Sequence, residues 1–279
     1  MVLPDLRDFL AESISEFQSG VEQRIYTVDI SKDAQQFVSA LVEYFVSCWL
    51  SPVYGDRDEV WEKWNTPSHP DRANMLDYLR NAFCSQNGEV ADHPDPKRGL
   101  TKAKGNFAET LLRWVEETYR EGEKRLISPV PQPADRGFTD LVEIIFHQGN
   151  EWFSIIWESK ATEVNISGVA SDAYKQLDDY PNRMFFILND RAASLKEDGV
   201  GNARYANVLR LMPALIKQRS PKIHYGLFIT HNDAEKCPNL RDLPKRPSGV
   251  PRGCHHLTFV ALPNFADLRD AVWRNMQLK

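Results

Sequence analysis

Apolar positions recur along this chain with two different periods. Across residues 33–50 (DAQQFVSALVEYFVSCWL), Phe37, Leu41, Tyr44, Phe45 and Trp49 return every three or four positions, which predicts a strongly apolar helix. The stretch 105–122 (GNFAETLLRWVEETYREG) repeats that spacing and closes on Gly122, so it predicts a second amphipathic helix. Helical spacing also predicts helices over 4–18 (Leu6, Phe9, Leu10, Ile14, Phe17), around Trp61–Trp64, and over Ala73–Phe83, 166–180, 202–219 and 264–276. Period-two alternation predicts strands over 22–30, 138–147 and 151–160, the last two joined by a Gln148-Gly149-Asn150 turn. Short continuous apolar runs at Arg183–Leu188, Ile223–Thr230 and His256–Leu262 read as buried strands. Residues 86–104 and 232–254 are polar and rich in Pro and Gly, and read as loops.

Strands and helices intersperse from residue 105 onward. That order predicts an α/β fold, a mixed sheet with helices on both faces. The first hundred residues read as mainly helical, so the expected division is a helical N-terminal region, 1–104, and a core, 105–279. No apolar run approaches the roughly 18 residues of a membrane span. The opening MVLPDLRDFLAES lacks a basic segment before an apolar one. The expectation is therefore a cytoplasmic protein with no membrane segment. Cys48, Cys84, Cys237 and Cys254 are widely spaced and form no CxxC pair. They read as reduced thiols, and the gap from Cys237 to Cys254-His255-His256 does not suit zinc.

The candidate chemistry concentrates in residues 136–160, RGFTDLVEIIFHQGNEWFSIIWESK. Side chains alternate faces along a strand, so Glu158 and Lys160 share one face and Ser159 points to the other. If the hairpin brings Asp140 alongside, two carboxylates and an ammonium converge. Such a set can hold Mg²⁺ and position a water for phosphodiester hydrolysis. The same alternation places Glu143 opposite Asp140, which reads as solvent-facing. Three further residues fall in chain order around the hairpin: Glu109 on the preceding helix, and Gln176 and Tyr180 on the following one. Each has a plainer alternative. Asp140 can cap a turn or pair with Arg136. Glu158 and Lys160 can form a surface ion pair worth roughly 0–1 kcal/mol. Glu109 can lie on a solvated face, and Gln176 and Tyr180 can simply pack.

The formal net charge of −5 argues against a protein that coats nucleic acid by bulk electrostatics. It leaves room for an acidic metal site served by a basic partner. The basic stretches Lys97-Arg98…Lys102…Lys104 and Lys236…Arg252 are phosphate-contact candidates or solvated loops. Neither GxxxxGK[ST] nor GxGxxG occurs, so no nucleotide-hydrolysing motor is encoded in this sequence.

The series Glu109…Asp140…Glu158-x-Lys160…Gln176-x-x-x-Tyr180 resembles the PD-(D/E)xK nuclease superfamily, with the Q-x-x-x-Y spacing of its exonuclease-type branch. The resemblance covers roughly 105–190, and Thr139 stands where the family often has Pro. It implies a restriction-endonuclease-like core and hydrolysis of DNA phosphodiesters. Mg²⁺ or Mn²⁺ would be ligated by Asp140, Glu158 and the backbone carbonyl of Ser159, with Glu109 in support. Lys160 would hold or activate water, and Gln176 and Tyr180 would brace the site. Glu109-Thr110-Leu111-Leu112, Gly137-Phe138-Thr139-Asp140 and Trp157-Glu158-Ser159-Lys160 are also similar to the HamA-like nuclease subunits of Hachiman-type anti-phage systems. That implies a helicase partner subunit, while assembly as a homo- or hetero-oligomer stays open. A stand-alone type II restriction endonuclease and a catalytically idle scaffold subunit are the competing readings.

Overall fold

A computed structural model describes residues 6–18, 21–29, 34–83, 96–119, 123–127, 140–147, 151–162, 166–197, 202–233 and 254–277. Its strands are β1 (Leu10–Gln18), β2 (Val21–Val28), β3 (Glu123–Ile127), β4 (Leu141–Phe146), β5 (Trp152–Thr162), β6 (Ile223–His231) and β7 (His255–Ala261). They form one seven-stranded sheet in the order β1-β2-β7-β6-β5-β4-β3. The inner pairs β2/β7, β7/β6 and β6/β5 are parallel, whereas β1/β2, β5/β4 and β4/β3 are antiparallel. The expected mixed α/β class is therefore present, and β5 lies inside the sheet.

Helices cover both faces. One apolar cluster joins α1 (Ala34–Tyr54), α2 (Arg57–Asn65), α3 (Arg72–Phe83), α4 (Pro96–Tyr119) and α7 (Phe265–Asn275) to one side of the sheet. A second cluster joins α5 (Ile166–Glu197) and α6 (Ala203–Lys217) to the other. Along β5 the two periodicities meet: Ile155 and Trp157 enter the first cluster and Ile156 the second. Both faces being covered, β5 reads as an apolar run until Glu158 interrupts it. Trp157 is wholly buried, and its register partner is Gly226. A Cβ on Gly226 would meet Trp157 Cε3 at 2.2 Å, so the large ring fits only because β6 lacks a side chain there.

The sheet departs from the sequence expectation in four places. Residues 4–18, expected as a helix, hold a 3-10 turn at Leu6–Asp8 and then β1. A bulge between Glu12 and Ile14 inserts one residue into the β1–β2 ladder. The insertion breaks strict alternation and leaves Leu10, Ile14 and Phe17 at spacings that imitate a helix. Strands β1 and β2 thus carry a stretch expected to be mainly helical into the sheet, through β2–β7 pairing. Residues 96–104, expected within a loop, belong to α4. Arg183–Leu188, expected as a strand, lies inside α5, which runs on past Pro181. The buried residues of α5 (Ala170, Ala173, Tyr174, Leu177, Leu188, Ala192) keep helical spacing. A short apolar run cannot by itself distinguish these two states. Strand β3 was not expected at all, because Glu-Lys-Arg interrupts any apolar pattern. The turn at 148–150 and the loop 234–253 lie outside the described residues.

Helix α1 is long and apolar enough to cross a membrane by length and composition, contrary to the expectation of no such run. Twelve of its residues are buried, among them Phe37, Leu41, Phe45 and Trp49, at the centre of the first cluster. Two polar links set the rotation of α4 beside it. Trp49 Nε1 donates to Thr110 Oγ1 at 2.9 Å. Arg57 makes a bidentate pair with Glu117 at 2.8 and 2.7 Å. Phe107, Leu111, Leu112 and Val115 then face the core. Cys48 and Cys254 carry free thiols, while Cys84 and Cys237 lie outside the described residues.

Candidate active site

The site forms where β4 stops and β5 continues. Leu141 pairs with Trp157, so Asp140, one step beyond, lies across from Glu158. The Asp140 N–H donates to the Trp157 carbonyl at 3.2 Å as the last rung. The Ser159 amide is received by the Asp140 side chain instead of a strand carbonyl. Asp140 Oδ2 accepts from Ser159 N–H at 2.5 Å and from Ser159 Oγ–H at 2.7 Å.

Glu158 and Lys160 project together on the α5 face, and Lys160 Nζ donates to Glu158 Oε1. Lys160 Nζ also donates to Gln176 Oε1 on α5 at 3.0 Å. Glu158 is 3% exposed, so this is no surface ion pair. A buried carboxylate requires a charged or hydrogen-bonding partner, and Lys160 supplies one. Burial pulls the Lys160 ammonium down, but Glu158 and Asp140 beside it more than offset this and leave it above its ordinary value.

Glu109 approaches from α4, on the other side of the sheet, and is half-buried. Its carboxyl is held well above the ordinary carboxylate range, first by burial and next by the negative charge of Asp140. Arg113 pulls it back, and Glu158 adds a further upward push. Burial likewise raises Asp140, against the lowering effects of Lys160 and the two Ser159 hydrogen bonds. Asp140, Glu158, Lys160, Gln176 and Glu109 therefore share one electrostatic neighbourhood. Tyr180 lies one helical turn past Gln176 on the α5 backbone, and its side chain is outside the described residues. The side chains of Lys97–Lys104 and the stretch 236–252 are outside them too.

Glu143 corrects the sequence expectation. It is 0% exposed, not solvent-facing, and its Oε2 accepts from Trp157 Nε1 at 3.2 Å. Alternation rightly placed it on the face opposite Asp140, but that face is covered by helices. The sequence signal for this pair was an acid and a Trp on the same face of neighbouring strands, diagonal across the hairpin, which only a fixed register could expose.

The donor set suits a hard divalent cation by its chemistry: it is all oxygen, with carboxylates outnumbering the one lysine. The upward push of Asp140 and Glu158 on Glu109 is the surplus negative charge such an ion would relieve. Both Ser159 donors fall on Oδ2 of Asp140, so neither occupies Oδ1. Among the described residues no three His, Cys, Asp or Glu side chains form a ready-made metal cage. The fit is thus to two carboxylates completed by main-chain or water oxygen.

A pH dependence follows from these shifts. Glu109 and Asp140 bind their protons more tightly in the folded chain than unfolded. Without metal, the contribution of these two groups to stability should therefore fall as pH rises from the ordinary carboxylate range of about 4 toward neutrality. Glu109→Gln, which cannot ionise, should flatten that decline, as read by thermal unfolding across the range in the presence of chelator. An unchanged slope would separate Glu109 from the other acids.

No protein-family model matches the chain, and no curated protein matches it.

Proposed function

We propose that this protein is a metal-dependent deoxyribonuclease of the PD-(D/E)xK type, built on a restriction-endonuclease-like core. The observation that carries the reading is the meeting of Asp140, Glu158, Lys160 and Gln176 at the end of one strand pair, with Glu109 in electrostatic range. These residues are separated in sequence by up to sixty-seven positions, Glu109 to Gln176. A chance surface ion pair gives no reason for three acids to share a buried neighbourhood. Such carboxylate convergence is more common at functional sites than in ordinary cores.

Asp140 and Glu158 would hold Mg²⁺ or Mn²⁺, with the Ser159 carbonyl and Glu109 in support. Bound there, the ion would polarise the phosphate and lower the cost of forming hydroxide. Lys160, raised above its ordinary value, stays an ammonium at neutral pH. It therefore serves better to orient the water and to offset negative charge building on the phosphate than to take a proton. Gln176 keeps the Lys160 amine at the strand end.

The net charge of −5 supports a chain that receives DNA from a partner rather than gathering it alone. With the Hachiman-like motifs, this favours a cytoplasmic effector subunit of a prokaryotic anti-phage system working with a helicase. The scaffold reading has one observation in its favour, the lack of a ready-made three-ligand cage among the described residues. The assay that separates them uses plasmid and linear DNA with purified protein, with and without Mg²⁺. Mg²⁺-dependent cutting, weak alone and stronger with a helicase encoded beside it, supports the effector. No cutting under any of these conditions supports the scaffold.

A further inference from the structure

Ser159 does more than separate Glu158 from Lys160. Trp157 and Ala161 pack into the α4-side cluster, so alternation places Ser159 on that face too, opposite Glu158 and Lys160. Its hydroxyl nevertheless reaches Asp140 Oδ2, the same oxygen that its amide holds. The Asp140 carboxylate is therefore turned toward Ser159 at the end of the strand pair. Its charge acts on Glu109, which comes from α4, and on Lys160, which lies on the α5 side. Ser159 is 3% exposed, so its hydroxyl is kept from solvent and committed to this contact. The serine thus links the two faces through a carboxylate that belongs to neither.

We propose that the Ser159 side chain is a positioning residue, which pins Oδ2 of Asp140 so that Oδ1 is presented to the divalent cation shared with Glu158. The inference rests on the nuclease reading and goes beyond it, since the family resemblance assigns only the Ser159 main-chain carbonyl. Two donors on one oxygen leave the carboxylate a single orientation. A hydrogen bond that orients a metal-ligating group commonly changes metal affinity or activity by about 10–100-fold when removed. The amide alone would leave Asp140 free to rotate about its remaining bond.

The test is Mn²⁺ binding measured by calorimetry on the parent, Ser159→Ala, Ser159→Thr and Ser159→Cys, with thermal unfolding as a check on folding. Ser159→Ala should weaken Mn²⁺ binding about 10–100-fold. Ser159→Thr, which keeps the hydroxyl, should recover most of it, and Ser159→Cys, a weak donor of similar size, should fall between. The Mg²⁺ concentration for half-maximal cleavage should rise in step. Equal Mn²⁺ affinity in parent and Ser159→Ala would overturn the role of Ser159 and leave the metal site standing. Absence of Mn²⁺ binding in the parent would overturn both. If Ser159→Ala does not fold, the ranking of the Thr and Cys variants decides, and equal affinities there overturn the proposal.

Discussion

Glu158→Gln and Lys160→Met should each lower Mg²⁺-dependent DNA cleavage by about 10²–10³-fold, the range typical of removing one charged or hydrogen-bonding group that stabilises the transition state. Glutamine keeps the length of Glu158 and can still accept from Lys160, so packing on the α5 face survives. What it loses is the negative charge, and with it the pull on a divalent ion. Lys160→Met keeps the hydrocarbon stem but removes the ammonium that pairs with Glu158 and offsets the charge of Asp140. Two buried acids are then left less compensated, so this variant should also lose some stability, whereas Glu158→Gln should not. Cleavage of plasmid and linear DNA, beside circular dichroism of each variant, reads both effects. Residual cutting equal to the parent in both variants would remove these residues from the chemistry.

Trp157→Ala should destabilise the fold by about 3–5 kcal/mol, the usual cost of truncating a fully buried aromatic. Trp157 is 0% exposed, fills the space left by Gly226 and donates to the buried Glu143. Truncation opens a cavity against a glycine that offers nothing to collapse into it, and takes from Glu143 its indole donor. Since Trp157 immediately precedes Glu158, activity should fall with stability and recover together with it at lower temperature. Chemical denaturation checks the size of the effect. A loss under about 1 kcal/mol would mean that the ring is not held as the register indicates.

The hairpin and the Glu158-x-Lys160 pair were legible because short-range rules govern them. Alternation assigns faces, and an apolar run interrupted by Glu and Lys marks charged groups that need partners. Gln176 was legible for a similar reason, sitting on the first clear helix after β5. Other features depended on facts that a single strand pattern does not hold. Glu143 was assigned to the correct face and the wrong environment, because the helices covering that face come from both earlier and later parts of the chain. The bulge after Glu12 shifted the phase of β1 and so disguised a strand as a helix. The apolar run at Arg183–Leu188 was too short for its period to be read, and α5 passes straight through it. The contact from Ser159 to Asp140 runs against the alternation that places Ser159 opposite, so alternation alone gives no sign of it.

The central claim is that Asp140 and Glu158 grip a divalent cation beside Lys160. Anomalous diffraction from crystals grown with Mn²⁺ tests it most directly. The account predicts a single strong peak within about 2.0–2.3 Å of one oxygen from each of these two carboxylates, the distance expected for small hard divalent ions on oxygen. Ordered crystals at saturating Mn²⁺ with no peak between those side chains would contradict it.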